Sequence, residues 1–341
     1  MARGVRIKSL RFRAMHCHCD LPNEILIHRV LIAVLARWAL RARDVRPALR
    51  ESAIARKSDG SFVTAVDVAL QTLTIESLVR HDEAPILAEE STDSLAAIPG
   101  GIAVVMDILR SIEPSSRIRP QDLEALITRN PARGTEERFW ILDPIDGTRS
   151  FVRGGHWCVC LALAERGRVE FAVNALPTVG SGVVQVATRG HGSFEGSLAS
   201  LEEAPWRRLR VEEHAKSSVR IASAPKSSAA WKSRVMDAAT RAELEVEWID
   251  AESQAKYAFV ARDEADLVLT PQSQGGAALW DHAGGALIAE EAGLCVQSFD
   301  GTPIAWNAGR DVRMGGGLAV GSVEGVRLAR AIAPPVSEHA S

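Results

Sequence analysis

Trp140-Ile-Leu-Asp143-Pro-Ile-Asp146-Gly147-Thr148 is the stretch on which the fold and chemistry of this 341-residue chain turn. Phe139 to Leu142 is a short apolar run of the kind that forms a buried strand, and it stops at Asp143. The turn that follows sets two carboxylates three residues apart, where both can face one cation, while Gly147 accepts backbone angles closed to other residues. Such a pair at an open strand end suits a hard, oxygen-seeking ion: Mg²⁺ takes near-octahedral oxygen ligands at ~2.1 Å and keeps water and substrate phosphate in its shell. If a helical turn begins at Gly147 and Thr148, its free N–H groups can also receive a phosphate oxygen. Asp-Pro and Asp-Gly are equally common in turns that hold no metal, and spacing alone leaves that alternative open.

Working outward, further acids fall at the ends of predicted elements. Val68, Thr72, Ile75 and Val79 recur at helical spacing after Asp67, and a short strand, Pro85 to Ala88, leads into Glu89 and Glu90. Of these two neighbours one is expected to point into a site and the other out to water. Asp281, in Leu279-Trp-Asp281-His282-Ala283-Gly284-Gly285, is placed to cap a helix running to Gly293, and capping is also the ordinary role of an acid at Asp67. Each acid has a mundane explanation. Four acid sites at element ends are more telling as a set.

The rest of the pattern predicts a layered α/β (α+β) enzyme in two lobes. Residues 1–21 form a basic extension outside the fold, with some character of an organellar transit peptide. Residues 22–203 form an α+β lobe carrying the acids, with a helical insert at 91–137. Residues 204–333 form a second α/β lobe, and 334–341 a disordered tail. In the first lobe Leu26, Val30, Val34 and Trp38 suggest an opening helix from Pro22 to about Ala42, the insert holds helices near Ile102 to Ile112 and Gln121 to Thr128, and strands follow at Trp157 to Ala164, Val169 to Asn174 and Gly182 to Ala187.

Composition narrows the function. Hydrophobic residues at 46% and charged residues at 24% describe a globular chain, and a net charge of −3 gives no global field to attract a nucleic acid polymer or an anionic membrane. No stretch approaches the ~18 apolar residues of a membrane span. Five cysteines, an odd number without dense spacing, suit a reducing compartment: the cytoplasm, or an organelle if residues 1–21 act as a transit peptide. Cys158 and Cys160 share one face of a predicted strand and read as core packing, and His16-Cys17-His18-Cys19 is too short a run to supply four tetrahedral ligands.

Taken together, Asp143-Pro-Ile-Asp146-Gly147-Thr148, Glu89-Glu90-Ser91 after a strand, and Trp280-Asp281-His282-Ala283-Gly284-Gly285 resemble, in order and spacing, the three signatures of the lithium-sensitive inositol monophosphatase superfamily. The resemblance spans roughly Pro22 to Gly321. It implies an αβαβα sandwich of the inositol monophosphatase and fructose bisphosphatase type. Thr148-Arg-Ser-Phe151-Val-Arg153-Gly154, the long insert and Asp250-Ala-Glu-Ser253-Gln254-Ala255-Lys256-Tyr257 are most similar to the 3′(2′),5′-bisphosphate nucleotidase branch.

That resemblance implies a phosphomonoesterase that removes the 3′-phosphate of 3′-phosphoadenosine 5′-phosphate, and of its sulfate ester, in a monomer or homodimer. It implies two or three Mg²⁺ held by Glu89, Asp143, the carbonyl of Ile145, Asp146 and Asp281. Asp67 and Thr148 would orient and deprotonate the attacking water, and Gly147, Thr148, Ser253 and Lys256 would contact the substrate. The chain departs from the family at Phe62 (usually Pro), Ala88 (Gly) and Gly284 (Ala). It lacks the branch's His in Ala222-Ser-Ala-Pro225-Lys226-Ser, where Lys226 can substitute, and carries Thr270 where an Arg is common. The lead into Trp280 reads Gln272-Ser-Gln-Gly-Gly-Ala-Ala instead of the branch's Tyr and Lys. An inositol phosphate or sugar phosphate phosphatase, and a non-catalytic metabolite-binding protein of the same fold, are the alternatives.

Overall fold

The computed structural model describes residues 21–332, but not 202, 213–216, 225–226 or 273–276, nor the side chains of 324, 330 and 332. The expectations for the basic extension, the His16 to Cys19 run, Lys226 and the tail lie outside the described residues.

A seven-stranded sheet runs, in chain order, through Ile86–Ala88, Arg138–Asp146, Cys158–Glu165, Arg168–Leu176, Val183–Thr188, Gly192–Ser197 and Arg207–Leu209. Its first pair is parallel and the others antiparallel. The outermost strand, Arg207–Leu209, lies past the expected lobe boundary at 203 because Leu209 pairs with Ser193. The central strands are apolar on both faces, so each face requires a cover. Trp140 and Leu142 point into a core shared with the helices Arg29–Val45, Ala65–His81 and Gly101–Ile112, while Phe139 and Ile141, one residue out of phase, enter a second core with Tyr257, Leu287, Val268 and Val320.

That second core belongs to the helices Ala255–Ala261 and Ala283–Glu291, sandwiched against a five-stranded sheet ordered Glu245–Asp250, Ser218–Ser223, Leu267–Pro271, Gly317–Gly321, Cys295–Ser298. The outer face of this sheet presents Ile221, Leu267, Leu269 and Ala319 to the helices Ala229–Arg241 and Val323–Ile332. The layers are αβαβα, as the resemblance implied.

Two local expectations change. The opening helix is broken: a single turn, Asn23–Leu26, precedes a helix at Arg29–Val45 whose buried side is Leu31, Ile32, Leu35, Ala36, Trp38, Ala39 and Ala42, with Val30 47% exposed. A stripe of residues four apart drifts by ~40° per step around a helix of 3.6 residues per turn, which carries Val30 out to solvent while Trp38 stays inside. The insert has the two expected helices, at Gly101–Ile112 and Leu123–Ile127, and a further short one at Thr92–Ala97 begun by a Ser91 cap.

Candidate active site

The Arg138–Asp146 strand loses register with its neighbour between Asp143, opposite Cys160, and Asp146, opposite Cys158. Three steps on one strand match two on the other, so both aspartates emerge on the same side. Pro144, without an N–H, suits such a break. The Ile145 N–H donates to Asp143 Oδ1 at 3.0 Å. Gly147 has φ +88°, and a Cβ there would lie 2.9 Å from Ser253 Cβ, so both conformation and space require glycine. The six-residue helix Thr148–Arg153 starts immediately after it.

Asp67 is the third residue of the Ala65–His81 helix, not its cap. Thr64 is the cap, and Asp67 completes a capping box: its Oδ2 accepts the Thr64 N–H at 2.8 Å and the Thr64 hydroxyl. The other oxygen, Oδ1, lies 2.9 Å from Thr148 Oγ1, which is also 3.1 Å from the Ile145 carbonyl. One carboxylate thus fixes a helix start and a hydroxyl 81 residues away.

Asp281 also differs from expectation. It ends the 3₁₀ turn Leu279–Asp281, the next helix begins at Ala283, and no side chain caps that helix. Asp281 instead lines a cleft of ≈ 220 Å³ with Glu89, Asp143, Ile145, Asp146, Gly147 and Thr148. Ser61, Phe62 and Arg149 form the rest of its wall, and the Arg56 and Arg149 guanidiniums lie 4.3 Å and 5.6 Å from the Phe62 ring. Asp67, with no exposed surface, sits behind Thr148.

Glu89 lines the cleft, but Glu90 does not point to water. Its side chain is wholly buried and shares the Lys57 ammonium with Glu89, each carboxylate 2.8 Å from Nζ. The Glu90 backbone is clamped in both directions by the Gln71 amide. Alternation fails here because the strand ends at Ala88.

Asp143, Asp146 and Asp281 each offer an oxygen within 4.8 Å of the others. Burial pushes the Asp146 and Asp281 carboxyls up to about 7, and Asp143 well above the ordinary range, because Glu89, Asp146 and Asp281 repel it as well. Lys256 acts the other way on Asp146 and Asp281, which places its charge beside the cluster. Burial, then the Glu90 charge, holds Asp67 at about 7. Burial opposes the charge on Lys57, yet Glu89 and Glu90 outweigh it and raise its pKa above that of an ordinary lysine.

Residues 27–339 match the inositol monophosphatase family across most of the chain. The protein belongs to that family. Among curated relatives, a probable 3′(2′),5′-bisphosphate nucleotidase 4 of Arabidopsis thaliana is 30% identical over 93% of this chain and 96% of its own. A 3′(2′),5′-bisphosphate nucleotidase of Schizosaccharomyces pombe is 27% identical over 77% and 80%. Among solved structures, an IMPase of Thermotoga maritima superposes with TM-score 0.62 at 18% identity, covering 91% of this chain and 98% of that one, a likeness of fold.

Within the family frame, Gly284 has a local reason: a Cβ there would meet Asn174 Oδ1 at 2.5 Å. Lys57 and Gln254 were given no role from sequence. The Gln254 N–H donates to Asp146 Oδ2, its side-chain Nε2 donates to the Trp280 carbonyl at 2.7 Å, and its Oε1 accepts from Gly285 N at 2.6 Å and Asn174 Nδ2 at 3.2 Å. It therefore joins Asp146 to the turn that carries Asp281. Ser253, at φ +59°, abuts Gly147. No helix among the described residues is long and apolar enough to cross a membrane.

Proposed function

We propose that the chain is a Mg²⁺-dependent phosphomonoesterase that removes the 3′-phosphate of 3′-phosphoadenosine 5′-phosphate. The observation that carries this reading is the Thr148–Asp67 hydrogen bond, 2.9 Å long, at the back of a cleft walled by four carboxylates. The donor set fits the ion: three carboxylates within 4.8 Å, two buried and Asp281 half-buried, repel one another, offer only hard oxygen atoms, and border an open cleft where water and phosphate can supply further oxygen ligands. Glu89, Asp143, Asp146, Asp281 and the Ile145 carbonyl are the proposed ligands of two or three Mg²⁺. When bound, the metal supplies charge neutralisation for the phosphoryl oxygens and a lowered pKa for the attacking water.

The chain's own residues manage the proton. Water gives a proton to Thr148 Oγ1 as its oxygen bonds to phosphorus, Thr148 passes its own to Asp67 Oδ1, and the bond from phosphorus to the ribose 3′-oxygen breaks, that oxygen leaving with its electron pair and taking a proton from solvent water. Asp67 suits the task because burial lifts its pKa to about 7, into the range where a carboxylate can both take up and release a proton near neutrality, and because Thr64 holds its other oxygen still. Ser253 and Lys256 are proposed to contact the substrate's ribose or 5′-phosphate, Lys256 as a point charge, with Gly147 beside the transferred phosphate. The names and coverage of the two curated nucleotidase relatives support this substrate. The test compares phosphate release from 3′-phosphoadenosine 5′-phosphate and from inositol 1-phosphate, each with and without Mg²⁺. Faster turnover of the inositol compound would overturn the nucleotide assignment, and turnover indifferent to Mg²⁺ would overturn the metal.

A further inference from the structure

Opposite the two loop aspartates, the neighbouring strand carries a donor set of different chemistry. Cys158 pairs with Asp146 and Cys160 with Asp143 across the Cys158–Glu165 strand. Both thiols are free, and both are buried. Cys158 Sγ lies 3.1 Å from Cys160 Sγ and 3.9 Å from Asp146 Oδ2, and one donor atom from each of the three residues falls within 4.8 Å of the others. The thiols pack against Leu176, Val179, Val183, Ala255 and Ala258, so the packing role expected from sequence is present. The strand register brings the two sulfurs and the carboxylate together, and the three donors so gathered are of the types that bind a soft divalent metal.

The distances match a tetrahedral metal site. With Zn–S near ~2.3 Å and Zn–O near ~2.0 Å, tetrahedral angles put two sulfur ligands ~3.8 Å apart and a sulfur and an oxygen ~3.5 Å apart. The sulfurs need to open by roughly 0.7 Å, and the Cys158–Asp146 pair to close by roughly 0.4 Å. Ligand softness then divides the neighbourhood. Asp143, Asp146 and Asp281 form an all-oxygen group that favours Mg²⁺, whereas thiolates select Zn²⁺ and its heavier congener Cd²⁺.

We propose that Cys158, Cys160 and Asp146 form a site for a thiophilic divalent cation, Zn²⁺ or Cd²⁺, which takes Asp146 away from the Mg²⁺ cluster and so switches the enzyme off. On binding, each S–H bond breaks, the electron pair stays on sulfur to form the metal–thiolate bond, and two protons leave to solvent for each cation taken up. No oxidation state changes. A water molecule is the fourth ligand of the tetrahedron. The inhibition rests on the reading of Asp146 as a Mg²⁺ ligand, while the binding itself does not.

The probe is Cd²⁺, titrated into the full chain in a Cys17→Ser/Cys19→Ser/Cys295→Ser background and followed by ultraviolet thiolate-to-metal charge transfer. The expected result is a band that saturates at one equivalent with release of two protons, together with inhibition of phosphate release that added Mg²⁺ relieves. Replacing Cys158 and Cys160 by Ala is expected to remove the band. It should also move the inhibition midpoint, relative to the variant's own uninhibited rate, by more than the ~10–100-fold that loss of an outer metal partner costs. Cadmium NMR on the background protein counts sulfur ligands without altering the two buried positions, so a poorly folding Ala variant leaves the question decidable. Two sulfurs are expected. A shift showing oxygen ligands alone, a band that survives Cys158→Ala/Cys160→Ala, or inhibition unchanged in that variant overturns the proposal. If the phosphatase reading fails and no turnover exists, the band and the NMR shift still decide the site.

Discussion

Replacing Asp67 by Asn tests the proton path with little change of shape. Oδ2 of Asp67 accepts the Thr64 backbone N–H, which cannot reverse its role, so the new amide oxygen has to take that side. The amide N–H₂ then faces Thr148 Oγ1, and the Thr148 hydroxyl proton turns to the Ile145 carbonyl, 3.1 Å away. Every donor already present keeps an acceptor and one buried amide N–H is added without one, so folding stability is expected to fall by ~1–3 kcal/mol, the scale of one unpaired buried donor. Turnover should suffer far more. Thr148 is left with its proton committed to a carbonyl and with no carboxylate to receive it, and loss of a positioned general base costs about 10²–10⁴-fold, or roughly 3–5 kcal/mol of barrier.

The assay is kcat for phosphate release at saturating Mg²⁺ across pH, paired with thermal melting of both proteins. In the parent protein the rate should fall on the acid side as Asp67 takes up a proton, at or below pH 7, since burial sets about 7 and a bound dication lowers it. In Asp67→Asn that limb should be missing from whatever rate remains. A variant that melts normally yet turns over within about tenfold of the parent would refute the relay, because a base that contributes less than its ordinary 10²-fold is not acting as one.

Asp143→Asn removes a carboxylate that burial disfavours and that Glu89, Asp146 and Asp281 repel, and is expected to abolish Mg²⁺-dependent phosphate release while raising the melting temperature of the metal-free protein. Lys57→Met leaves Glu89 and the buried Glu90 facing each other without a cation, which should cost ~3 kcal/mol in the absence of metal, with Mg²⁺ restoring part of it; chemical denaturation with and without Mg²⁺ measures both. Asp67, Glu90, Asp146 and Asp281 are raised to about 7 by burial, so their protonated forms favour the fold; metal-free stability should be fullest below the ordinary carboxylate range and decline as pH rises through 7, and Mg²⁺ should flatten that decline. His28 works in the opposite sense, since burial, His81 and Arg138 lower it from 6.5 to about 4: its contribution is complete above 6.5 and is lost as pH falls toward 4, and His28→Phe should remove that acid loss from the denaturation curves.

The site was legible where its geometry is local. Asp143, Asp146, Gly147 and Thr148 are consecutive or nearly so, and the break that turns both aspartates to one side is set by Pro144 and by the left-handed Gly147 within the same six residues. For the distant acids, the choice between a cap and a contact in the cleft wall was a false one at Asp67, where one oxygen closes the Thr64 box and the other holds Thr148. Glu90 misled because a period of two applies only while the strand continues, and the strand ends two residues earlier at Ala88. Past that point the Gln71 amide decides where the chain goes.

What stayed hidden depends on contacts no short window contains. Lys57 reaches Glu89 and Glu90 because the Ile54–Arg56 and Phe62–Thr64 strands pair, so an unremarked lysine in a polar turn becomes the counter-ion of a buried pair. Gln254 binds partners 80, 26 and 31 residues away, in a strand of the first sheet, the turn before Asp281 and the helix after it. Its buried side-chain amide meets these partners only when those three segments are already in place, and its backbone N–H adds Asp146. The five-layer sandwich thus does more than bury apolar surface. By packing the Ala255–Ala261 and Ala283–Glu291 helices between the two sheets, it brings Gln254 under the cluster, so one residue bonds Asp146 through its backbone and the turn that carries Asp281 through its side chain.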